Sequence, residues 1–366
     1  MATSRLFEPL QVGNMELKNR VAMAPLTRFR ANDKHEILPM AAEYYGERAC
    51  VPGTLLISEA TLTSKKAGGY DHVPGIWTQG QIDAWKLVTK AVHEKGSYIY
   101  LQLWSLGRTA DPNYNKRNGI PMKSSSATPM DKDSVVPEEM TVEDIKESIN
   151  DYAQAAKNAI EAGFDGVEIH GANGYLVDQF LQDVCNKRTD SYGGSVENRS
   201  QFAVEVTQAV VEAVGAEKTG IRLSPYSKFQ GMKMEDPLPQ FTDIMKKLDA
   251  LNIAYVHLVE SRIAGNTDVD NVESLDPLLP HFTGKLLIAG GFKADSAKKL
   301  VEEHKERDIV VVFGRYYIST PDLVFRLQKG IDFNPYDRDT FYLPESAKGY
   351  LDQPFSKEWE EAQAKL

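Results

Sequence analysis

TVEDIKESINDYAQAAKNAIEAGFDGVEIH, residues 141–170, contains one complete passage from helix to strand. Thr141, with Asp144 three positions on, resembles a capping box that opens a helix. Ile145, Ile149, Tyr152, Ala156 and Ile160 then recur at helical spacing and give the helix one apolar face. Gly163 stops it, and Phe164 leads into the short apolar run 166–170. Seven more runs of this kind follow the chain, at 21–27, 55–60, 98–104, 220–224, 255–259, 286–290 and 309–314. Most are continuously apolar, as strands covered on both faces should be. Helical stretches are expected between them. Eight strand–helix units favour a closed (β/α)8 barrel over an open doubly wound sheet.

The length of 366 residues fits a single barrel domain spanning 1–366. Ahead of the first strand, the segments 6–10 and 15–17 flank Gly13-Asn14 and read as a hairpin within residues 1–20, placed to plug the barrel floor. Three excursions interrupt the rhythm: 105–140 after strand three, 261–283 after strand six, and the tail from Gly330. Loops this long are usually functional, and the first two leave the C-terminal face, where barrel enzymes carry their sites.

Lys and Arg number 42 against 52 Asp and Glu, a net charge of −10. Such a surface repels nucleic acid and anionic membranes, so neither is an expected partner. No run approaches membrane-spanning length, and Met1–Phe7 carries no apolar leader segment. Two cysteines, Cys50 and Cys185, suit a reducing compartment, and both are expected to be buried structural thiols. The expected location is cytoplasmic, as a monomer or homodimer. His93, His281 and His304 lack metal-type neighbours, so no metal is expected.

The end of strand four, Val167-Glu168-Ile169-His170-Gly171-Ala172-Asn173-Gly174-Tyr175, sets an imidazole, an amide and a phenol within six residues. His170 and Asn173 can both donate to one carbonyl oxygen and stabilise charge developing there. Tyr175 can give a proton. The plainer alternative is a helix-capping histidine beside a core tyrosine. At the ends of strands seven and eight, Gly290-Gly291 and Gly314-Arg315 would let backbone N–H groups approach a phosphate, the usual phosphate position of these barrels. Thr27 and Gln102 are polar groups on strands one and three. Arg222, inside an apolar strand, needs an anionic partner: a buried structural carboxylate or a cofactor that becomes anionic. Glu59, Asp165 and Glu168 read as structural.

Taken together, these residues resemble the old yellow enzyme family over nearly the whole chain. The resemblance is carried by Leu6-Phe7-Glu8-Pro9, Ala24-Pro25-Leu26-Thr27-Arg28, Glu43-Tyr44-Tyr45, Ala67-Gly68-Gly69-Tyr70, Pro74-Gly75-Ile76-Trp77 and Gln102-Leu103-Trp104. It continues through His170 to Leu176, Asp190-Ser191-Tyr192-Gly193-Gly194-Ser195, Glu197-Asn198-Arg199, Arg222-Leu223-Ser224-Pro225 and Gly314-Arg315. The pattern is similar to the eukaryotic branch, with its 12-oxophytodienoate reductases and fungal pathway reductases. It implies noncovalent FMN at the C-terminal mouth and NADPH as hydride donor, with NADH possible. It also implies that Pro25, Thr27, Ala60 and Gln102 contact the flavin ring, Arg222 lies near its N1 and O2, and Gly290, Gly291, Gly314 and Arg315 cradle its phosphate. His170 and Asn173 match the pair that grips the substrate oxygen. Tyr175 matches the proton donor, and Tyr70, Trp104 and Tyr342 fall near pocket-shaping positions. Ser105 departs from the pattern, since many relatives carry a larger residue there, often His. The implied activity is reduction of the C=C bond of α,β-unsaturated carbonyl or nitro compounds. The alternative is an isomerase or another pathway-specific conversion on the same flavin barrel.

Overall fold

The computed structural model describes residues 4–264, 267–268 and 273–365. Eight parallel strands close on themselves: β1 (Val21–Met23), β2 (Leu55–Ile57), β3 (Tyr98–Trp104), β4 (Gly166–Gly171), β5 (Thr219–Leu223), β6 (Tyr255–Val259), β7 (Lys285–Ala289) and β8 (Ile309–Phe313). Each pairs with the next, and β8 returns to β1 through Val311↔Val21 and Phe313↔Met23. This is the expected (β/α)8 barrel.

The helices packed outside it include α1 (Met40–Arg48), α2 (Gln79–His93), α3 (Val142–Glu161), α4 (Val196–Val214), α5 (Leu238–Asp249), α6 (Ala294–Glu303) and α7 (Leu323–Lys329). α3 forms as its sequence dictates. Asp144 N–H donates to Thr141 Oγ1 at 3.1 Å and Thr141 N–H to Asp144 Oδ2 at 2.9 Å, a reciprocal cap stabilising the helix by about 1 kcal/mol. Ile145, Tyr152 and Ala156 are buried with Ala155 and Ala159, whereas Ile149 and Ile160 are half-buried at the rim of that face. Gly163, at φ 91°, turns the chain toward β4 in a conformation few other residues adopt.

Three readings of the chain need correction. The hairpin pairs Leu10–Val12 with Met15–Leu17, while Arg5–Phe7 forms a 3-10 turn and not part of the first arm. Between β6 and β7 the excursion expected at 261–283 holds, among the described residues, the short antiparallel pair Ile263–Ala264 and Thr267–Asp268 and the 3-10 turn Leu279–His281; 265–266 and 269–272 lie outside the described residues, as do 1–3 and 366. Strands one and two end at Met23 and Ile57; Ala24 and Ser58 still donate to the Phe313 and Tyr100 carbonyls, and residues 25–27 and 59–60 leave the ladder. Cys185 is buried but Cys50 is only half-buried, and both thiols are free. No described helix is long and apolar enough to cross a membrane.

Inside the barrel, Leu10, Val12, Met15 and Leu17 of the hairpin share one apolar cluster with Leu55, Ile57, Tyr100, Tyr255, Leu287 and Val310. A Cβ on Gly13, at φ 52°, would sit 2.0 Å from the Glu217 carbonyl, so the hairpin turn fits against the floor only as glycine. The opposite end stays open.

Candidate active site

At that open end the strand termini enclose a cavity of about 480 Å³, within the size range of cofactor and ligand sites. Its lining brings together Pro25, Thr27, Ala60, Tyr70, Gln102, Trp104, His170, Asn173, Tyr175, Arg222, Gly290, Gly291, Gly314, Arg315 and Tyr342, all the residues singled out from sequence. Phe29, Phe229, Phe292, Tyr316 and Phe341 also line it and were not foreseen. Phe292 and Tyr316 directly follow Gly291 and Arg315, whereas Phe29, Phe229 and Phe341 come from segments whose sequence gives no sign of convergence. Pro25, Thr27 and Ala60 reach the cavity because their segments have left the sheet.

Strand register builds the polar floor of the cavity. His170, Arg222 and His257 are neighbours across β4, β5 and β6, with Gln102 paired to Glu168 across β3 and β4. Glu168 is fully buried and accepts from Gln102 Nε2 at 2.8 Å, Tyr255 OH at 3.1 Å and His257 Nδ1 at 2.9 Å. Burial pushes its carboxyl up, but His257, Arg222 and Gln102 outweigh that and hold it low, so Glu168 is ionised. Burial keeps His257 neutral despite Glu168, so its Nδ1–H donates to the carboxylate. A histidine in the apolar strand YVHLV, like Arg222 in its own strand, is a buried polar group that needs a partner, and that signal could have found it.

Glu168 already has three hydrogen-bond donors. It attracts Arg222 electrostatically, yet Arg222 Nε is buried without a hydrogen-bond partner. A half-buried guanidinium left this way at a cavity wall fits an anion bound inside. Across the mouth, a Cβ on Gly290 would lie 2.0 Å from Glu260 Oε2, and Gly291 takes φ 66°. That bare backbone precedes α6, whose N-terminal end favours negative charge. A ring-shaped anion carrying a phosphate fits the donor set.

The loop after β4 is held from several sides. Burial, then Arg222 and His257, push the His170 imidazole well below its ordinary range, so it is neutral. The Ala172 N–H donates to His170 Nδ1 at 3.4 Å, which leaves the ring proton on Nε2 as a donor. Asn173 sits at φ 57°, a conformation asparagine tolerates, and its N–H donates to Ser224 Oγ at 2.7 Å. Gly174 N–H donates to Asp178 Oδ2 at 2.8 Å, and Gln179 Nε2 donates to the Gly174 and Leu106 carbonyls at 2.8 and 2.9 Å. Tyr175 packs edge-on against Trp104 and His170, with ring centroids 5.1 and 4.7 Å away. Burial pushes its phenol up, so it is protonated at neutral pH. Ser105 does not line this cavity. Its hydroxyl donates to the Ala67 carbonyl at 3.4 Å and borders a separate chamber behind Trp104.

A parallel barrel whose mouth joins bare glycine backbone ahead of a helix N-terminus, a half-buried guanidinium and neutral hydrogen-bond donors fits a flavin-dependent oxidoreductase. The model of the NADH:flavin oxidoreductase / NADH oxidase family matches residues 5–334, and the chain belongs to that family. It is 56% identical over 363 residues to a chanoclavine-I aldehyde reductase of Penicillium roqueforti, covering 98% of each chain. It is 52% identical to an NADP-dependent oxidoreductase of Aspergillus flavus, covering 96% of this chain and 97% of the other. Among solved structures, an old yellow enzyme from Pichia sp. superposes with a TM-score of 0.90 at 40% identity, covering 97% of this chain and 95% of that one. The protein is therefore an oxidoreductase of the old yellow enzyme type, with noncovalent FMN as cofactor and NAD(P)H as reductant.

Proposed function

We propose that the protein reduces the C=C bond of an α,β-unsaturated carbonyl or nitro compound, with NADPH as hydride donor. The observation that carries this is the convergence of a neutral His170 Nε2–H, the Asn173 amide and the protonated Tyr175 phenol on one cavity wall beside Arg222. The similarity to an aldehyde reductase supports a small carbonyl-bearing substrate, and the NADP-dependent relative supports NADPH. Pro25, Thr27, Ala60, Gln102 and Arg222 would hold the flavin ring, and Gly290, Gly291, Gly314 and Arg315 its phosphate. Bound FMN supplies the two-electron exchange between nicotinamide and alkene.

His170 and Asn173 grip the substrate oxygen and draw electron density toward it, which makes the β-carbon electrophilic. Being neutral, His170 donates this hydrogen bond without surrendering a proton to the oxygen. Tyr175 then protonates the α-carbon, completing a net reduction that an isomerase would not need. Trp104, Tyr70 and Tyr342 shape the space beside the reacting bond.

Stopped-flow measurement of both half-reactions tests this. Tyr175→Phe keeps the ring packing and removes the proton. Reduction by NADPH should stay near normal, while reoxidation by cyclohexenone should slow by roughly 10²–10⁴, the usual contribution of a positioned general acid. Equal reoxidation rates in the two proteins would remove Tyr175 from this role and restore the isomerase alternative.

A further inference from the structure

Glu168 does not line the cavity, yet one of the side chains it holds does. Its donors divide between its two oxygens. Tyr255 OH and His257 Nδ1, both from β6, occupy Oε2 at 3.1 and 2.9 Å. They reach it across β5, where Gly220 is the residue paired with Glu168. A Cβ on Gly220 would lie 2.5 Å from Tyr255 ring carbons, so the ring crosses β5 only over bare backbone. Oε1 is thereby left to Gln102 Nε2, at 2.8 Å from the facing position on β3. An ionised carboxylate can only accept, so it decides which end of the Gln102 amide turns toward it. With Nε2 committed to Glu168, Gln102 has its Oε1 and its second Nε2 proton for the cavity it lines. The two ends of an amide have nearly the same shape, and without that acceptor packing alone does not choose between them.

We infer that Glu168 is a positioning residue for cofactor binding, setting the Gln102 amide with its carbonyl oxygen toward the cavity. This rests on the reading of Gln102 as a flavin-ring contact. The imide edge of an isoalloxazine ring offers an N–H flanked by carbonyl groups. In the orientation Glu168 imposes, Gln102 Oε1 would accept from that N–H, and the free Nε2 proton would suit a neighbouring carbonyl. A reversed amide would turn its N–H groups on the imide N–H and leave both donors unsatisfied.

FMN titration of the flavin-stripped full chain tests the inference. Glu168→Met keeps length and removes the acceptor, and should bind FMN roughly threefold to tenfold more weakly, the worth of a neutral hydrogen bond. Glu168→Gln keeps an oxygen that can face Gln102, with its N–H groups free to face His257 and Tyr255, and should restore affinity to within about twofold of wild type. In a Gln102→Leu background, Glu168→Met should add nothing. In the wild-type holoprotein carrying 15N-labelled FMN, the imide proton should resonate downfield of its position in free FMN, and Glu168→Met should lose that shift. Wild-type affinity in Glu168→Met while Gln102→Leu is weak would overturn this inference alone. So would equal weakening in Glu168→Gln, which would assign the effect to lost charge, or a Glu168→Met loss repeated in full on top of Gln102→Leu. Wild-type affinity in Gln102→Leu would overturn the ring-contact reading and this inference with it. An imide proton at its free-FMN position in the wild type would do the same, and that measurement needs no substitution.

Discussion

The two ends of the barrel use the same eight strands for opposite purposes. At the N-terminal end, Leu10, Val12, Met15 and Leu17 fill the bore against Tyr100, Tyr255 and Leu287. At the C-terminal end the strands carry His170, Arg222, His257 and Glu168, and the bore opens into the cavity. The floor is stabilised by apolar burial. The mouth keeps a half-buried cation, Arg222, with an unpartnered Nε, and beside it, outside the cavity lining, lies a buried carboxyl, Glu59, whose Oε2 also lacks a partner. Stability and function are thus separated along the barrel axis, with the mouth bearing the cost of binding-ready polar groups.

Substitutions at the two ends should therefore fail in different ways, and the floor should show the largest stability loss. Leu17 is fully buried, and Leu17→Ala should cost roughly 2–5 kcal/mol in denaturant unfolding through lost contact and the cavity left behind. FMN affinity should stay within about twofold, and a large loss of flavin would break the separation.

Glu59 gives the next effect. Burial raises its carboxyl to about 7 against an ordinary value of 4.5, with Arg28 and Arg30 opposing the rise. A group raised in the folded state contributes fully below its unfolded value, and that contribution is lost as pH climbs through about 7. The difference corresponds to about 3 kcal/mol of stability lost between about pH 4.5 and pH 7. Urea unfolding across this window should reveal the slope, and Glu59→Gln should flatten it. An unchanged slope in the variant would assign the pH dependence elsewhere.

Arg222→Met should give the smallest free-energy change but the most selective one. FMN should bind roughly tenfold to a hundredfold more weakly, the worth of a hydrogen bond to a charged group, as read by flavin fluorescence titration. Its melting temperature should move less than that of Leu17→Ala, because Arg222 Nε has no protein partner to lose. Flavin affinity equal to wild type would make Arg222 a structural ion beside Glu168.

The barrel was legible because buried parallel strands leave a strong mark. Runs such as Ile309-Val310-Val311-Val312-Phe313 admit few other readings. The strand ends were less so. Ala24-Pro25-Leu26 stays apolar after Met23, so hydropathy does not record where strand pairing stops and cavity lining begins. The excursion expected between β6 and β7 carries a 3-10 turn among its described residues, where Pro277 and Pro280 oppose a longer helix.

In the site, His170, Asn173 and Tyr175 could be read together because they lie within six residues of one strand end. Phe29, Phe229 and Phe341 could not, since only the closed barrel brings such distant loops to one cavity.

The central claim is that the mouth presents two neutral donors to an oxyanion lying against the bound flavin. Titrating FMN-loaded protein with a para-substituted phenol tests it most directly. Phenolate held by His170 and Asn173 beside the oxidised flavin should produce a long-wavelength charge-transfer band, and His170→Ala should lose the band while retaining FMN. A titration that leaves the spectrum of the intact protein unchanged, or a band that persists undiminished in His170→Ala, would contradict the account.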